Sequence, residues 1–490
     1  MIKTIMLCLI LLPWAAGILL PVLKLKNRRG KCALIAAVLL LEAAGTTVLL
    51  FHKSAELTLF SMTKTLTVAL RMDGVSKLFM AVAAFGFLLS GLYAFRYLEH
   101  SEREDSFFGF FLLSLGALMG MDLSSNLITM YLFFELITLL SMPLVLHDRT
   151  EESIRAALKY LFYSIAGAFL ALCCIFFLAR YSTTLDFIAG GSLNPEAVSG
   201  HEKLLLVVIF LGVVGFGAKA GMYPLHGWLP AAHPVAPAPA SAVLSGIIAK
   251  AGVLAILRLV YFSVGTDFLK GTWVQYAWLA LALLTVFMGS MMAYREKVFK
   301  KRLAYSSVSQ ISYVLVGLFF LTPEAAMGGL LHIVFHACIK ICLFLVAGSF
   351  IVNCGKHRVD ELAGYGKAMP KTLWSFTLAS LALIGIPPAS GFVSKWYLAS
   401  GALSSGISVY SWLAPVILLI SALLTAGYLL PITIQGFFPG KDAALPEKNN
   451  EGGVLMWLPI ALLAALAILF GVFSGCFTEN FASLANSMFG

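Results

Sequence analysis

Long apolar runs recur along the whole chain and are separated by short polar connections. A helix needs about 20 apolar residues to cross the ~30 Å hydrocarbon core of a bilayer. By that measure the pattern predicts fourteen membrane-spanning helices, at residues 4–23, 32–51, 74–95, 107–121, 127–146, 160–179, 204–224, 238–257, 273–293, 304–321, 325–351, 372–402, 410–434 and 455–475. No connection is long enough for a soluble domain. The predicted fold is an all-α polytopic membrane protein with a single domain.

The composition agrees with residence in a membrane. Of the 490 residues, 60% are hydrophobic and 12% are charged, whereas soluble domains carry about 25% charge. A soluble enzyme is thereby excluded, and so is intrinsic disorder, which requires low hydrophobicity and high charge. The formal net charge of +10 would favour a nucleic-acid partner in a soluble protein. In a membrane protein basic residues mark cytoplasmic loops instead, so no nucleic-acid partner is expected.

Basic residues are unequally divided between the two sides of the predicted membrane domain. One set of alternate connections holds 21 of the 34, at positions 24–31, 96, 103, 149–159, 295–302, 356–371, 441 and 448, and the other set holds eight, at 3, 53, 64, 71, 180, 203, 258 and 270. This asymmetry assigns the first set to the cytoplasm. One lysine precedes the first apolar run and five basic residues follow it, the reverse of a secretory signal. The prediction is a cell-membrane protein with both termini outside the cytoplasm.

Five lysines remain within the predicted helices. Lys77 lies near a helix end and can reach the interface, but Lys219, Lys250, Lys340 and Lys395 lie well inside apolar stretches. Each lysine costs roughly 2.5–3.5 kcal/mol at a helix centre. Four such residues indicate a function within the bundle.

Two acidic residues also fall inside predicted spans. Glu135 has no charged neighbour in its helix and is stable there only when it is protonated or paired with a cation. Glu42 is the second intramembrane acid. It has no assigned role, and a structural polar contact is the favoured interpretation.

Lys219 and Lys395 lie in helices whose sequence predicts a break. Prolines 224, 230, 234, 237 and 239 follow Lys219, and Pro387, Pro388 and Gly391 precede Lys395. Proline removes a backbone donor, and freed backbone groups are tolerated at membrane depth only inside protein or beside a water-filled cavity. Two broken helices, five spans apart, are typical of inverted-repeat transporters.

His332, His336 and Lys340 recur at a spacing of four and therefore share one helix face. Two imidazoles and an amine one turn apart form a series along which protons can move. Structural hydrogen bonding is the alternative, and a metal site is disfavoured because no carboxylate is nearby. His226 and His233, in the proline-rich stretch, are either sites of cytoplasmic proton uptake or loop caps.

The eight cysteines do not predict a cofactor. They contain no CxxC pair and lie mostly inside apolar runs, where cysteine acts as a small hydrophobic residue. We expect neither a bound cofactor nor a metal.

These features together resemble the antiporter-like membrane subunits shared by respiratory complex I, Mrp-type Na+/H+ antiporters and membrane-bound energy-converting hydrogenases. The resemblance covers essentially the whole chain. It is carried by the Glu135 helix, KAGMYPLHGWLPAAH at 219–233, HIVFHACIK at 332–340 and GIPPASGFVSKW at 385–396. It implies fourteen helices with broken seventh and twelfth helices. It also implies three N-terminal helices in 1–106, inverted five-helix repeats in 107–262 and 273–434, and a final helix with the C-terminus in 455–490.

The resemblance also implies roles for single residues. Glu135 matches the family's fifth-helix glutamate, Lys219 its seventh-helix lysine, Lys250 its eighth-helix lysine and Lys395 its twelfth-helix residue. A lysine at this last position, together with the histidine series, is most similar to the D-type member of the Mrp antiporters. The expected path runs from Glu135 and Lys219 through Lys250 and the His332, His336 and Lys340 series to Lys395. It would carry H+, alone or in exchange for Na+, and other membrane subunits or an ion gradient would drive it.

Other functions remain open at this point. The chain could be a stand-alone secondary cation carrier, or a membrane partner of a soluble CO2-hydrating protein. A purely structural scaffold is disfavoured by the four intramembrane lysines. The sequence does not decide between an oxidoreductase and a cation/proton antiporter as the parent complex; in either, the chain itself would be a non-redox subunit embedded in lipid.

Overall fold

Each predicted apolar run folds as helix in the computed structural model, which describes residues 1–23, 27–63, 66–440 and 451–490. The first six helices are α1 Ile2–Leu23, α2 Arg28–Leu50, α3 Gly74–Tyr97, α4 Glu104–Asp122, α5 Leu127–Val145 and α6 Glu151–Tyr181. The central ones are α7a Glu202–Ala220, α7b Leu229–Val235, α8 Ala238–Val264, α9 Trp273–Arg295, α10 Phe299–Phe319 and α11 Pro323–Cys354. The last are α12a Pro370–Ile384, α12b Ser390–Ser404, α13 Tyr410–Phe437, α14 Val454–Val472 and α15 Gly475–Ser487.

The polytopic prediction is confirmed. Twelve helices in the described part of the chain are long and apolar enough to cross a membrane, when the two parts of α7 are taken as one span. The other two predicted spans correspond to α10 and to the interrupted α12. Predicted boundaries are mostly within a few residues of the observed ones, although α6 begins nine residues earlier than expected. Its polar first turns start at the Thr150 cap, whose hydroxyl accepts from the Ser153 amide.

A β-hairpin was missed by the span count. Strands β1 Ala55–Ser61 and β2 Thr67–Met72 pair antiparallel between α2 and α3. β2 is largely buried, because it lies against the ends of α4 and α5: its Ala69 amide donates to Thr129 Oγ1 at 3.0 Å, and Leu70 bridges to Ser124. Strands of seven and six residues are too short to register as membrane helices, so hydropathy alone could not reveal the hairpin.

Both predicted helix breaks are present. α7a ends at Gly221 (φ +80°) and α12a ends at Gly385 (φ +91°), in the left-handed conformation that favours glycine. The carbonyls exposed at the breaks find partners inside the protein. Ala218 O accepts from Trp228 Nε1 at 2.8 Å, and the end of α12a accepts from Lys395. The breaks therefore satisfy the rule that irregular backbone at membrane depth is enclosed by protein.

α8 and α11 form the centre of the bundle. In the most apolar stretch of each helix, all of the residues of α8 and 89% of those of α11 are buried inside the protein. α8 contains two π-helical segments, Leu244–Ile248 and Arg258–Val264, on either side of the α-helical turns that begin at Lys250. Such local widening is frequent at functional sites in helices.

Four of the basic residues counted as loop positions are in fact buried. Lys31 is 7% exposed in the first turn of α2, where it pairs with Glu104 at 2.8 Å. Arg258 is 2% exposed near the end of α8, and Lys300 and Arg302 are 6% and 8% exposed in the first turn of α10. Arg258 was misplaced because hydropathy cannot distinguish a charged helix end from a charged loop. Five further positions of the count, Lys24, Lys26, Lys64, Lys441 and Lys448, lie outside the described residues.

Candidate functional site

Lys219 lies fully buried in the last turn of α7a, two residues before the Gly221 break. Its Nζ donates to Thr138 Oγ1 at 2.6 Å and to Phe134 O at 3.2 Å, both on α5. The ammonium also lies 4.5 Å from the centroid of the Phe134 ring, a favourable cation–π distance. Neutral oxygens and a ring face thus take the place that a carboxylate would occupy in an ordinary ion pair.

Glu135 is half-buried on the same helix, α5. It interacts with Tyr131 and lies within electrostatic range of Lys219. The ion pairs among the described residues do not include a direct one between Glu135 and Lys219, so the expected pair is a longer-range interaction in this conformation. Residues three and four apart share a helix face. Thr138 lies three residues after Glu135 and therefore on the same face of α5. Lys219, which donates to Thr138, thus contacts the face of α5 that carries Glu135.

Lys250 is 1% exposed and lies at the centre of α8. Its Nζ donates to the Gly246 carbonyl one turn earlier in α8. From α11, Cys338 lies within its electrostatic range, and so do His332, His336 and Lys340. The eighth-helix lysine therefore faces the histidine series directly.

The α11 series shares one face, as the spacing predicts. The His332 and His336 rings are stacked with centroids 5.8 Å apart, and His332 Nδ1 lies 2.9 Å from Ser394 Oγ on α12b. Both His336 ring nitrogens and His332 Nε2 are buried without a hydrogen-bond partner in the described structure. Lys340 donates to Ser306 Oγ at 2.7 Å and to Leu303 O at 3.1 Å on α10.

Lys395 closes the series at the second break. Its Nζ donates to Leu383 O at 2.6 Å and Ile384 O at 2.8 Å, the last carbonyls of α12a. A helix C-terminus carries partial negative charge and favours a cation. The same Nζ lies 5.2 Å from the centroid of Tyr313, whose ring stacks on His332 at 5.5 Å. The interruption of α12 thus positions Lys395 beside the histidines.

The two proline-region histidines occupy different environments. His226 is half-buried, stacks on Tyr223 with centroids 5.8 Å apart, and lies within electrostatic range of Lys159 on α6. His233 is fully buried, stacks on Phe344 of α11 at 4.7 Å, and has no partner for either ring nitrogen in the described structure. The structure thus places His233 beside the α11 series and His226 nearer the surface.

The predicted site residues therefore form two clusters. Glu135 and Lys219 form one, and the other contains Lys250, the α11 series and Lys395. The helices that carry the clusters pack closely, because a Cβ at Gly252 would lie 2.6 Å from both Ala220 N and Phe216 O. Glu42 lies apart on α2, fully buried, with neither carboxyl oxygen partnered in the described structure.

Sequence reasoning missed the neutral partners of the buried lysines. They are Thr138 beside Lys219 and Ser306 beside Lys340; Tyr313, beside the half-buried Lys395, and Ser394, beside His332, were missed as well. One signal was present: the segment SSVSQIS at 306–312 carries five polar side chains inside a predicted apolar span, and all five are buried. Among the described residues, no group of three or more His, Cys, Asp or Glu side chains is placed to hold a metal ion.

Comparison with known proteins adds independent information. Residues 124–425 match the family described as NADH:quinone oxidoreductase/Mrp antiporter, TM. The chain is 34% identical to the N subunit of NADH-quinone oxidoreductase from Desulforudis audaxviator (strain MP104C), over 80% of its own length and 78% of that protein. It is 30% identical to the D subunit of the Na(+)/H(+) antiporter from Bacillus subtilis (strain 168), over 83% and 80% respectively. A chain in the solved Mrp complex from Dietzia sp. DQ12-45-1b shares the fold, with a TM-score of 0.85, 21% identity, and coverage of 100% and 97%.

Proposed function

Because the chain belongs to the NADH:quinone oxidoreductase/Mrp antiporter membrane family, we propose that it is a proton-translocating, antiporter-like subunit of a multisubunit ion-pumping complex. One observation carries the proposal: Lys219, Lys250 and Lys340 are all at most 1% exposed, and each is held by neutral oxygens. Both of the relatives from Desulforudis and Bacillus are named as subunits of larger assemblies. Other membrane subunits are accordingly the proposed partners.

Neutral acceptors suit a lysine that must gain and lose a proton. A buried lysine bonded to a carboxylate is fixed in its charged form, because separating the pair leaves an uncompensated charge at a cost of several kcal/mol. A carbonyl or hydroxyl accepts a hydrogen bond from an ammonium and also, more weakly, from a neutral amine. Lys219, Lys250 and Lys340 can thus change protonation state without losing their partners.

The proposed path starts at Glu135. When its carboxylate turns towards Lys219 it stabilises the ammonium, and when it turns away the proton is released towards Lys250 on the packed helix α8. From Lys250 the proton passes along the α11 series to Lys395 at the second break. The partnerless ring nitrogens of His332 and His336 are where water would complete the connection.

The setting of the subunit follows the basic-residue asymmetry. We propose that it lies in the cell membrane with both termini outside the cytoplasm, and that segments 107–262 and 273–434 are its two inverted repeats. The cargo is H+, and the presence or absence of Na+ in a vesicle measurement decides whether Na+ is exchanged for it.

The test uses inverted membrane vesicles that contain the whole complex. Glu135→Gln and Lys219→Met should each abolish proton uptake while the complex still assembles, and Lys395→Met should block release on the far side. Glu151→Gln is the matched control, because this acid is exposed and pairs with Arg155 on the surface. Wild-type uptake in both the Glu135 and the Lys219 variants would overturn the proposal. Repeating the measurement with and without Na+ shows whether Na+ is exchanged.

A further inference from the structure

A polar cleft opens at the end of the bundle where α3 joins α4 and α5 joins α6. It has a volume of about 280 Å³ and is lined by Ser101, Glu102, Arg103, His147 and Asp148. The connections from α7b to α8 and from α9 to α10 lie at the same end, because successive spans alternate in direction. By the basic-residue asymmetry this is the cytoplasmic end.

The cleft adjoins the link between α7b and α8. Tyr97, at the end of α3, is hydrogen-bonded to the backbone of Ala238 and lies within electrostatic range of Asp148. Asp148 is exposed in the cleft, so Tyr97 connects the cleft surface to the segment that carries Ala236.

Lys300, in the first turn of α10, contacts this segment. It is 6% exposed, donates to Ala236 O at 2.6 Å, and lies within electrostatic range of Asp148. No carboxylate pairs with it among the ion pairs of the described residues. The adjacent Lys301 differs in every respect: its side chain is 38% exposed and it pairs with Glu296 at 2.8 Å.

His233 stacks on Phe344 of α11 and lies three residues before Ala236, whose carbonyl accepts from Lys300. It is within electrostatic range of both Lys300 and Lys340. Ser241 Oγ lies 3.1 Å from His233 O and 3.4 Å from Ala236 O, so one hydroxyl joins the backbone of the histidine to the acceptor of Lys300. Both His233 ring nitrogens are available to exchange a proton, since neither has a partner in the described structure.

Lys340 continues the sequence of groups one turn deeper. It bonds to Leu303 O on α10, three residues beyond Lys300, and a helix rises about 1.5 Å per residue. Asp148, Lys300, His233 and Lys340 thus follow one another from the cleft to the buried relay.

We propose that Asp148, Lys300 and His233 form a proton entrance that reloads Lys340 from the cleft, separate from the Glu135 and Lys219 pair. The Lys300 ammonium gives one proton to a His233 ring nitrogen and becomes a neutral amine. His233 passes a proton from its other nitrogen towards Lys340, and Asp148 returns one from cleft water to Lys300. This entrance rests on the proposed function, because it supplies the path that Glu135 and Lys219 control.

The test measures proton uptake by the assembled complex in inverted vesicles. Lys300→Met should slow uptake by at least about tenfold, since a positioned proton donor contributes about 10²-fold or more, and imidazole in the medium should restore part of the rate. Lys300→Arg should be equally slow, because arginine keeps the charge and the bond to Ala236 but does not release its proton. Lys301→Met should transport normally.

Several results would overturn the entrance. Normal uptake in Lys300→Met, or in Lys300→Arg, would show that Lys300 has only a structural role, in which its bond to Ala236 O holds the α7b–α8 link against α10. If the Lys300 variants fail to assemble, Asp148→Asn replaces them, because Asp148 is exposed and its substitution should not disturb folding. Uptake by this variant should fall most at alkaline pH, where protons are scarce. An unchanged pH profile would refute the entrance. Abolished uptake in Glu135→Gln with normal uptake in Lys300→Met would refute the entrance alone, whereas normal uptake in both Glu135→Gln and Lys219→Met would refute the proposed function.

Discussion

The ion pair between the half-buried Asp73 and the buried Arg258 should be a major source of stability at the end of the bundle where α3 begins. Arg258 Nη1 and Nη2 donate to the Asp73 carboxylate at 2.7 and 2.8 Å, and Nη2 also lies 3.1 Å from Ser76 Oγ. The guanidinium lies 5.0 Å from the ring of Phe187 and 4.8 Å from that of Phe262. Replacing Asp73 would leave this charge in the apolar environment without its bidentate partner.

The magnitude follows from the carboxylate's titration. Burial alone would raise the pKa of Asp73, but the Arg258 charge and hydrogen bonds outweigh burial and lower it from 3.8 to about 2. That pKa difference corresponds to about 2–3 kcal/mol of the free energy of unfolding. Its contribution is complete above the unfolded pKa of 3.8 and is lost as the pH falls towards 2, so it is constant between pH 5 and 9. Asp73→Ala should lower the free energy of unfolding by about 3–5 kcal/mol, because it also leaves the buried Arg258 charge without its bidentate carboxylate.

The assay is denaturation of the purified chain by sodium dodecyl sulfate in mixed micelles at pH 7. Asp73→Asn should fall between wild type and Asp73→Ala, since asparagine keeps the cap on the Ser76 amide but removes the charge. Glu151→Ala is the control, because it removes an ion pair whose side chains are 80% and 85% exposed, which is worth at most about 1 kcal/mol. Equal losses in Asp73→Ala and Glu151→Ala would refute the reasoning.

Two further predictions concern the relay and the orientation. Thr138→Val preserves shape but removes the hydroxyl that accepts from Lys219, a charge-assisted bond worth about 1.5–3 kcal/mol, so vesicle uptake should fall about tenfold or more. Thr377→Val should transport normally, because this hydroxyl bonds to Leu373 O and Thr433 Oγ1 and not to a lysine; equal effects would contradict the role of Thr138. Cys476, exposed just after α14, should react with a membrane-impermeant maleimide in intact spheroplasts, and Cys476→Ser should abolish that labelling. Labelling at Cys476 only after permeabilisation would place the C-terminus inside.

Elements governed by local sequence could be predicted. The fourteen spans depend on apolar length, which is read directly from the chain. The breaks near Lys219 and Lys395 depend on proline and glycine, whose backbone restrictions are also local. The shared face of His332, His336 and Lys340 follows from helical periodicity, and the stacked rings confirm it.

Features governed by contacts between distant segments could not be predicted. Asp73 and Arg258 are 185 residues apart, and no local pattern distinguishes this buried arginine from an outer-loop one. The partners of Lys219 and Lys340 are a threonine and a serine on other helices, and hydroxyls of that kind are too common in membrane helices to be recognised singly. Only the tertiary arrangement shows which of them face a lysine.

In the described part of the chain no carboxylate pairs directly with Lys219 or Lys340, and the proposed turnover of protons at these lysines gives a physical reason. Lys219 and Lys340 are held alike, each by a carbonyl and a hydroxyl about one helical turn apart on a neighbouring helix. In contrast, Arg258 has a bidentate carboxylate and a fixed charge. A permanent ion pair holds helices together but keeps the cation protonated, whereas a hydroxyl can hold a lysine in place in either protonation state. A carboxylate that only approaches, as Glu135 does, can then bias the proton's position without trapping it.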